Sequence, residues 1–322
     1  MASVPYDVVD RTEAIALSTG NPVSFLHVVR AEIDLPANTP PHGDAVYAKA
    51  VENFRKFQTD GILVRESQPT AYLYRQVMGS HSQIGIALAC HIEDYERNVI
   101  RKHEKTRKDK EDDRTRIVHE LKAHAEPVFL TYRPDAQIDS LVESITASVT
   151  PRCDFTAPDG VRHTLWHVPG AQKFEQLFSK IPLAYVADGH HRTASAARVG
   201  AELRAANPRH DGTEAYNWFP AVLFPANQLQ ILPYNRTVAS LNGLLQPDFL
   251  NRVKAASFSV EPSGVSKPVE PGSVSMFLGG VWYTLKWTPD PDADPVRSLD
   301  VSVLQDRLLA PILGVVPMSI PP

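Results

Sequence analysis

The sequence predicts a mixed α+β fold, and three observations carry that prediction. Segments with apolar residues at helical spacing alternate with short β-branched or aromatic runs, several separated by turn-sized gaps as in hairpins. Proline accounts for 27 of 322 residues, about 8% against a usual share near 5%, which favours many short elements on stiff connectors over a helical bundle. Apolar residues make up 43% and charged residues 22%, as in a chain that buries a core.

The elements follow in order. The first 40 residues read as extended segments broken by prolines, with Ser24–Val29 a short strand and Pro36, Pro40 and Pro41 excluding regular structure after it. Asp44 caps a helix whose apolar positions Val46, Tyr47, Val51, Phe54 and Phe57 keep helical spacing up to Gly61. Ala71–Val77 and Ser82–His91 are paired strands around a Gly79-Ser80 turn. A charged loop at about 100–108 feeds a helix at about 109–124, and Val128–Tyr132 is a strand. Leu141–Ser148 is a helix, Thr164–Val168 a strand and Ala171–Phe178 a helix. The continuous apolar run Leu183–Ala187 is what a strand covered on both faces requires. Arg192–Ala206 is an Ala-rich helix, Phe219–Phe224 and Gln228–Pro233 form a hairpin, and short helices and strands alternate after Ser240. Regions 1–99, 100–245 and 246–322 are read as parts of one interlocked body.

Charge and cysteine usage narrow the function classes. The net charge is −4 and the basic residues are interleaved with acids, which argues against a nucleic-acid partner. The start, MASVPYDVVD, lacks a basic stretch followed by an apolar one, and the apolar runs Ile84–Cys90 and Leu308–Met318 are too short to span a bilayer. Cys90 and Cys153 give neither metal spacing nor a disulfide framework. The expectation is a cytoplasmic protein without a membrane partner, both cysteines buried as small hydrophobes.

Two segments carry chemistry. In YVADGHHRTASAAR an apolar strand ends in Asp188-Gly189 and opens directly into a helix. The unpaired N–H groups of a helix start and the helix dipole favour an anion, most often phosphate. Gly189 permits the turn, His190, His191 and Arg192 add donors, and Thr193 and Ser195 add hydroxyls. The competing readings are a plain helix cap by Asp188 and metal ligation through the adjacent histidines. The second segment, Arg101 to Arg116, holds eight Lys/Arg and five Asp/Glu. Within it Glu104 is surrounded by Arg101, Lys102, Lys105 and Arg107, cations suited to a nucleotide polyphosphate or an anionic substrate. Its competing reading is a solvated helix start, with Asp109, Glu111 and Asp112 pairing Lys105 and Lys108. Pro5-Tyr6-Asp7 and Tyr234-Asn235-Arg236 are further candidates for the same cleft, while His124, His163 and His167 read as structural. There is no P-loop, no kinase-type His-Arg-Asp and no Gly-x-Ser-x-Gly elbow.

PYDVVD, NPVSFLHVVRAEIDLP, IRKHEKTRKDKEDDR, VADGHHRTASA and LFPANQLQILPYNR, in this order from about residue 4 to 245, resemble the bacterial family called domain of unknown function 1015. Its members usually carry a further segment before Pro-Tyr-Asp, so the resemblance implies a shortened or missing edge strand at the start. A more remote resemblance covers about 100–205. A His-Glu pair ahead of a helix, then a strand leading into Asp-Gly-His-x-Arg, is similar to the ParB/sulfiredoxin-like fold and, within it, to free-serine kinases.

That resemblance implies a ParB/sulfiredoxin-like core with extra N- and C-terminal α+β segments. It makes Glu104 the base on a substrate hydroxyl, and Gly189, His190, His191 and Arg192, with Thr193, the phosphate cradle. Asp188 would hold the turn or help position Mg²⁺. The reading of the residues themselves adds His103, Lys105, Arg107 and Arg236 as expected substrate-binding groups. The expected cofactor is ATP or ADP with Mg²⁺, with no protein metal site assigned. The expected activity is phosphoryl transfer involving free serine or phosphoserine. The alternatives are a nucleotide- or phosphoserine-binding regulatory protein and a phosphoserine phosphatase.

Overall fold

Alternating helical and extended segments resolve into a mixed α+β architecture in a computed structural model that describes residues 3–233, 235–268 and 270–315. The chain divides into two units, Met1–Gln230 and Ile231–Pro322. The first opens with α1 (Arg11–Ser18), α2 (Leu26–Val29) and α3 (Asp44–Thr59). The hairpin β1 (Thr70–Met78) and β2 (His81–His91) leads through α4 (Ile92–Glu96) to the two-residue β3 (Ile100–Arg101). Then come α5 (Lys108–Leu121), β4 (Val128–Tyr132), α6 (Ala136–Ser148), β5 (Cys153–Thr156), β6 (Arg162–Pro169), α7 (Gln172–Phe178), β7 (Ala184–Asp188), α8 (His190–Ala206) and β8 (Trp218–Pro225).

The eight strands form one sheet in the order β3-β7-β4-β8-β2-β1-β6-β5. Pairing is parallel for β3 with β7 and for β4 with β8, and antiparallel elsewhere. In β4 the alternation sends Val128, Leu130 and Tyr132 to the core. They pack with Leu73, Ile86, Trp166, Val186 and Phe219 from neighbouring strands and Ile92, Ile138 and Phe174 from helices. Gly200 lets α8 approach its neighbours: a Cβ there would lie 2.8 Å from the Tyr216 carbonyl oxygen and run into Ile92.

The second unit holds α9 (Gln246–Ala255), β9 (Ser259–Pro262), β10 (Ser273–Leu278), β11 (Val281–Lys286), α10 (Asp300–Leu304) and α11 (Ala310–Leu313). Its antiparallel sheet, β10-β11-β9, contributes Leu285 to a core with Phe249, Val253, Trp287, Leu308 and Ile312. No helix among the described residues is long and apolar enough to cross a membrane.

The structure corrects several expectations. The strand expected at Ser24–Val29 is the helical turn α2, because Leu26, Val28 and Val29 are buried between small helical clusters that override β-branched propensity. The extended start contains α1, announced by a capping box in which Asp10 accepts from Glu13 N and Glu13 accepts from Asp10 N. Asp44 is the first helical residue, Gly43 being the cap. The hairpin partner expected at Gln228–Pro233 does not pair, because both edges of β8 are taken by β4 and β2. Ile231 in that segment is 97% exposed. Strand β7 is covered on one face, with Ala184 and Val186 buried and Ala187 exposed. Cys153 is exposed on edge strand β5, whereas Cys90 is partly buried, with desolvation pushing its thiol pKa up to about 12. Strands of region 1–99 share a sheet with strands of 100–245.

Candidate functional site

The site follows from the pairing of β3 with β7. Because these strands are parallel, with Ile100 opposite Ala184 and Arg101 opposite Tyr185, both segments leave the sheet at the same end. The charged loop after β3 therefore emerges beside the turn after β7. In open α/β sheets this carboxyl end of parallel strands is where ligands bind.

At the turn, Gly189 has φ +91°, a left-handed conformation that a side chain disfavours. Helix α8 begins at once, and no side chain caps it. Its first-turn N–H groups lack intrahelical partners by geometry, and the dipole adds partial positive charge there. His190 is buried, 6% exposed, with Nδ1 3.4 Å from Glu104 Oε2. The His103 ring meets the His190 ring edge-on at 4.5 Å. The loop and the turn thus converge, as the two motifs require.

Burial lowers the His190 pKa, and His103 and His191 push the same way while Glu104 and Asp188 oppose them. Burial thus favours the neutral His190 ring. Since a carboxylate only accepts, the proton belongs on Nδ1 facing Glu104. That leaves Nε2 buried without a partner among the described residues. Glu104 itself is 55% exposed.

Several expected ligand groups have other work. Arg192 donates from Nη2 to Asp188 Oδ2 at 2.5 Å and from Nη1 to the Pro127 carbonyl, so its fork ties the turn to the approach of β4. Asp188 correspondingly holds the turn. Thr193 is fully buried and its hydroxyl donates to the Gly189 carbonyl at 2.9 Å, while Ser195 donates to the Glu111 carbonyl. Neither hydroxyl is presented to an anion. The His191 Nε2 accepts the Arg107 backbone N–H at 3.1 Å. Among the loop cations, Arg107 is paired with Asp109 and Lys108 with Asp112, and Lys102 lies over the Tyr95 ring. Arg101 and Lys105 are exposed and make no ion pair among the described residues. The expected Lys105–Asp109 pair is thus replaced by Arg107–Asp109. Arg236 belongs to the second unit and donates to Gln305 at 3.4 Å, and Tyr234 lies outside the described residues.

Sequence reasoning missed the support behind the turn. Tyr6 is buried beneath the Arg114 guanidinium, 3.7 Å from its ring centre, and its N–H donates to Glu126. Glu126 and Arg114, 3.7 Å apart, line a small cavity with Arg192, His124 and Ser195. Burial raises the Glu126 pKa despite the nearby Arg192 and Arg114. The Pro-Tyr-Asp motif gave one sign of this cluster, but Arg114 lay hidden in the charged run and Glu126 had no local signal. His124 is half-buried, and its desolvation lowers its pKa. His163 bonds the Tyr74 hydroxyl, and His167 packs edge-on against Tyr72.

One family model, described as "Protein of unknown function (DUF1015)", matches residues 1–302. No curated protein and no solved structure gives a match.

Proposed function

The chain belongs to the DUF1015 family, whose description names no reaction, and from that premise we propose that the site binds a nucleotide and transfers phosphate to or from a small hydroxy amino acid, with free serine as the first substrate to try. The observation that carries this is the approach of Glu104 to within 3.4 Å of His190 at the uncapped start of α8. It sets a carboxylate beside a ready anion site. Phosphoryl transfer needs chiefly positioning and charge neutralisation, which the α8 amides, Arg101 and Lys105 supply. Glu104 takes the proton as the substrate hydroxyl oxygen bonds to phosphorus and the nucleotide leaves. The neutral His190 orients Glu104.

Mg²⁺ is normally held by nucleotide phosphates with only one or two carboxylates. Among the described residues no group of three or more His, Cys, Asp or Glu is arranged to hold a metal ion. Mg²⁺ would offset phosphate charge when bound. A ParB/sulfiredoxin-like core from 100 to 205 belongs to the same proposal.

A second reading, a nucleotide- or phosphoserine-binding regulator, is favoured by the 55% exposure of Glu104, since a solvated carboxylate is a weak base. Purified protein incubated with Mg²⁺, serine and ATP or ADP separates the two. Phosphoserine formed by the wild type and lost in Glu104→Gln supports the enzyme. Nucleotide binding by calorimetry without product over hours supports the regulator. Phosphate released from phosphoserine without nucleotide points to hydrolysis.

A further inference from the structure

The loop carrying Glu104 is fastened to α8 by a contact whose chemistry depends on one proton. His191 Nε2 accepts the Arg107 N–H at 3.1 Å, joining residues 84 apart in sequence. The other contacts made by this loop differ in kind. Thr106 donates to Glu111 and the Arg107 guanidinium pairs with Asp109, which ties the end of the loop to α5. Lys102 rests on Tyr95 of α4. Toward α8 the loop offers the His103–His190 ring contact and the 3.4 Å approach of Glu104 to His190. Among the described residues, the His191 contact is the one aligned hydrogen bond between residues 102–107 and α8.

An imidazole nitrogen accepts only while it carries a lone pair, so this bond requires the neutral ring protonated on Nδ1. A second proton turns Nε2 into a donor aimed at another donor. We infer that His191 is a positioning residue: its neutral ring latches residues 102–107 onto α8 and sets Glu104 against His190, and full protonation of the ring opens the latch. The role of Glu104 as a base rests on the proposed function, whereas the latch does not. The Nε2 lone pair is thereby spent on Arg107, which leaves Nδ1–H as the donor His191 can offer a ligand. The charged and titratable groups of the segments that meet at this contact are Asp188, His190 and Arg192 at the turn, His103, Glu104, Lys105 and Arg107 in the loop, and Lys108 and Asp109 at the start of α5. Arg192 is engaged by Asp188, Arg107 by Asp109 and Lys108 by Asp112.

Amide exchange at Arg107 tests the latch on the full chain without any substrate. Protection, corrected for the intrinsic pH dependence of exchange, is expected to fall about tenfold as the ring protonates, the worth of roughly one hydrogen bond. Its midpoint should coincide with the His191 ring titration followed by NMR in the same samples. His191→Gln, whose carbonyl oxygen accepts but does not titrate, keeps the protection at every pH, and His191→Ala loses it throughout. Wild-type protection that ignores the ring titration, or survives in His191→Ala, overturns the inference. An intact latch in a protein that makes no phosphoserine overturns the proposed catalysis instead. If turnover is found, its acid limb should follow the His191 midpoint and flatten in His191→Gln.

Discussion

Replacing Arg192 by alanine separates a structural strut from a phosphate ligand. The guanidinium donates to the Pro127 carbonyl and to Asp188, and its side chain is only 12% exposed. A charge-assisted hydrogen bond to a carbonyl is worth about 1.5–3 kcal/mol. The pair with Asp188, whose side chain is 63% exposed, adds only about 0.2–1 kcal/mol because solvent screens it. Glu126, already raised in pKa by burial, also loses a cationic neighbour. The expected loss of stability is therefore about 2–4 kcal/mol, within the range of a broken buried network. Arg192→Lys keeps the charge but not the fork and should lose about half as much. Urea unfolding followed by circular dichroism measures both. A strut predicts a lower midpoint at unchanged m-value. An Arg192→Ala variant that unfolds within 0.5 kcal/mol of wild type, roughly the scatter of a neutral surface change, while losing nucleotide binding would refute the strut and restore the phosphate assignment.

Other outcomes are equally concrete. Gly189→Ala forces a side chain into a left-handed turn with its Cβ 3.1 Å from the Arg192 guanidinium, and should cost about 1–3 kcal/mol in the same assay. Leu130→Ala, at a fully buried position in a central strand, should cost about 2–5 kcal/mol. His190 and His124 have pKa values lowered from 6.5 by burial. The unfolded chain therefore takes up their protons first, and their contribution is complete above pH 6.5 and lost as pH falls through the lowered folded values. Glu126, raised from 4.5, acts in the opposite sense: its contribution is complete below pH 4.5 and lost as pH rises through its folded value. Urea midpoints at several pH values should thus fall away on the acid side, and His190→Gln should make that limb shallower.

How much was legible depended on whether a residue's partner lies nearby in sequence. The β1–β2 hairpin could be read from two apolar runs around Gly79-Ser80, and α8 from its Ala-rich run after the turn. The capping box of Asp10 and Glu13 was equally local and was overshadowed by the prolines and β-branched residues around it. Non-local pairing was another matter. Whether Gln228–Pro233 pairs depends on β4 and β2 occupying both edges of β8, which no local pattern encodes. At the site, the convergence of the Glu104 loop with the Asp-Gly-His-His-Arg turn was anticipated from residue types. The partners that redirect its side chains, Pro127 for Arg192 and Arg107 for His191, lie 65 and 84 residues away and use backbone atoms that carry no residue-type signal.

The most direct measurement is a single-turnover experiment with excess protein over labelled nucleotide, Mg²⁺ and serine, comparing wild type with Glu104→Gln. Transfer of label to serine by the wild type is expected. In Glu104→Gln the transfer should slow by about 10²–10⁴-fold, as when a general base is removed, with nucleotide affinity preserved. No labelled serine from the wild type, or equal rates in the two proteins, would contradict the assignment of Glu104 as the base beside the α8 anion site.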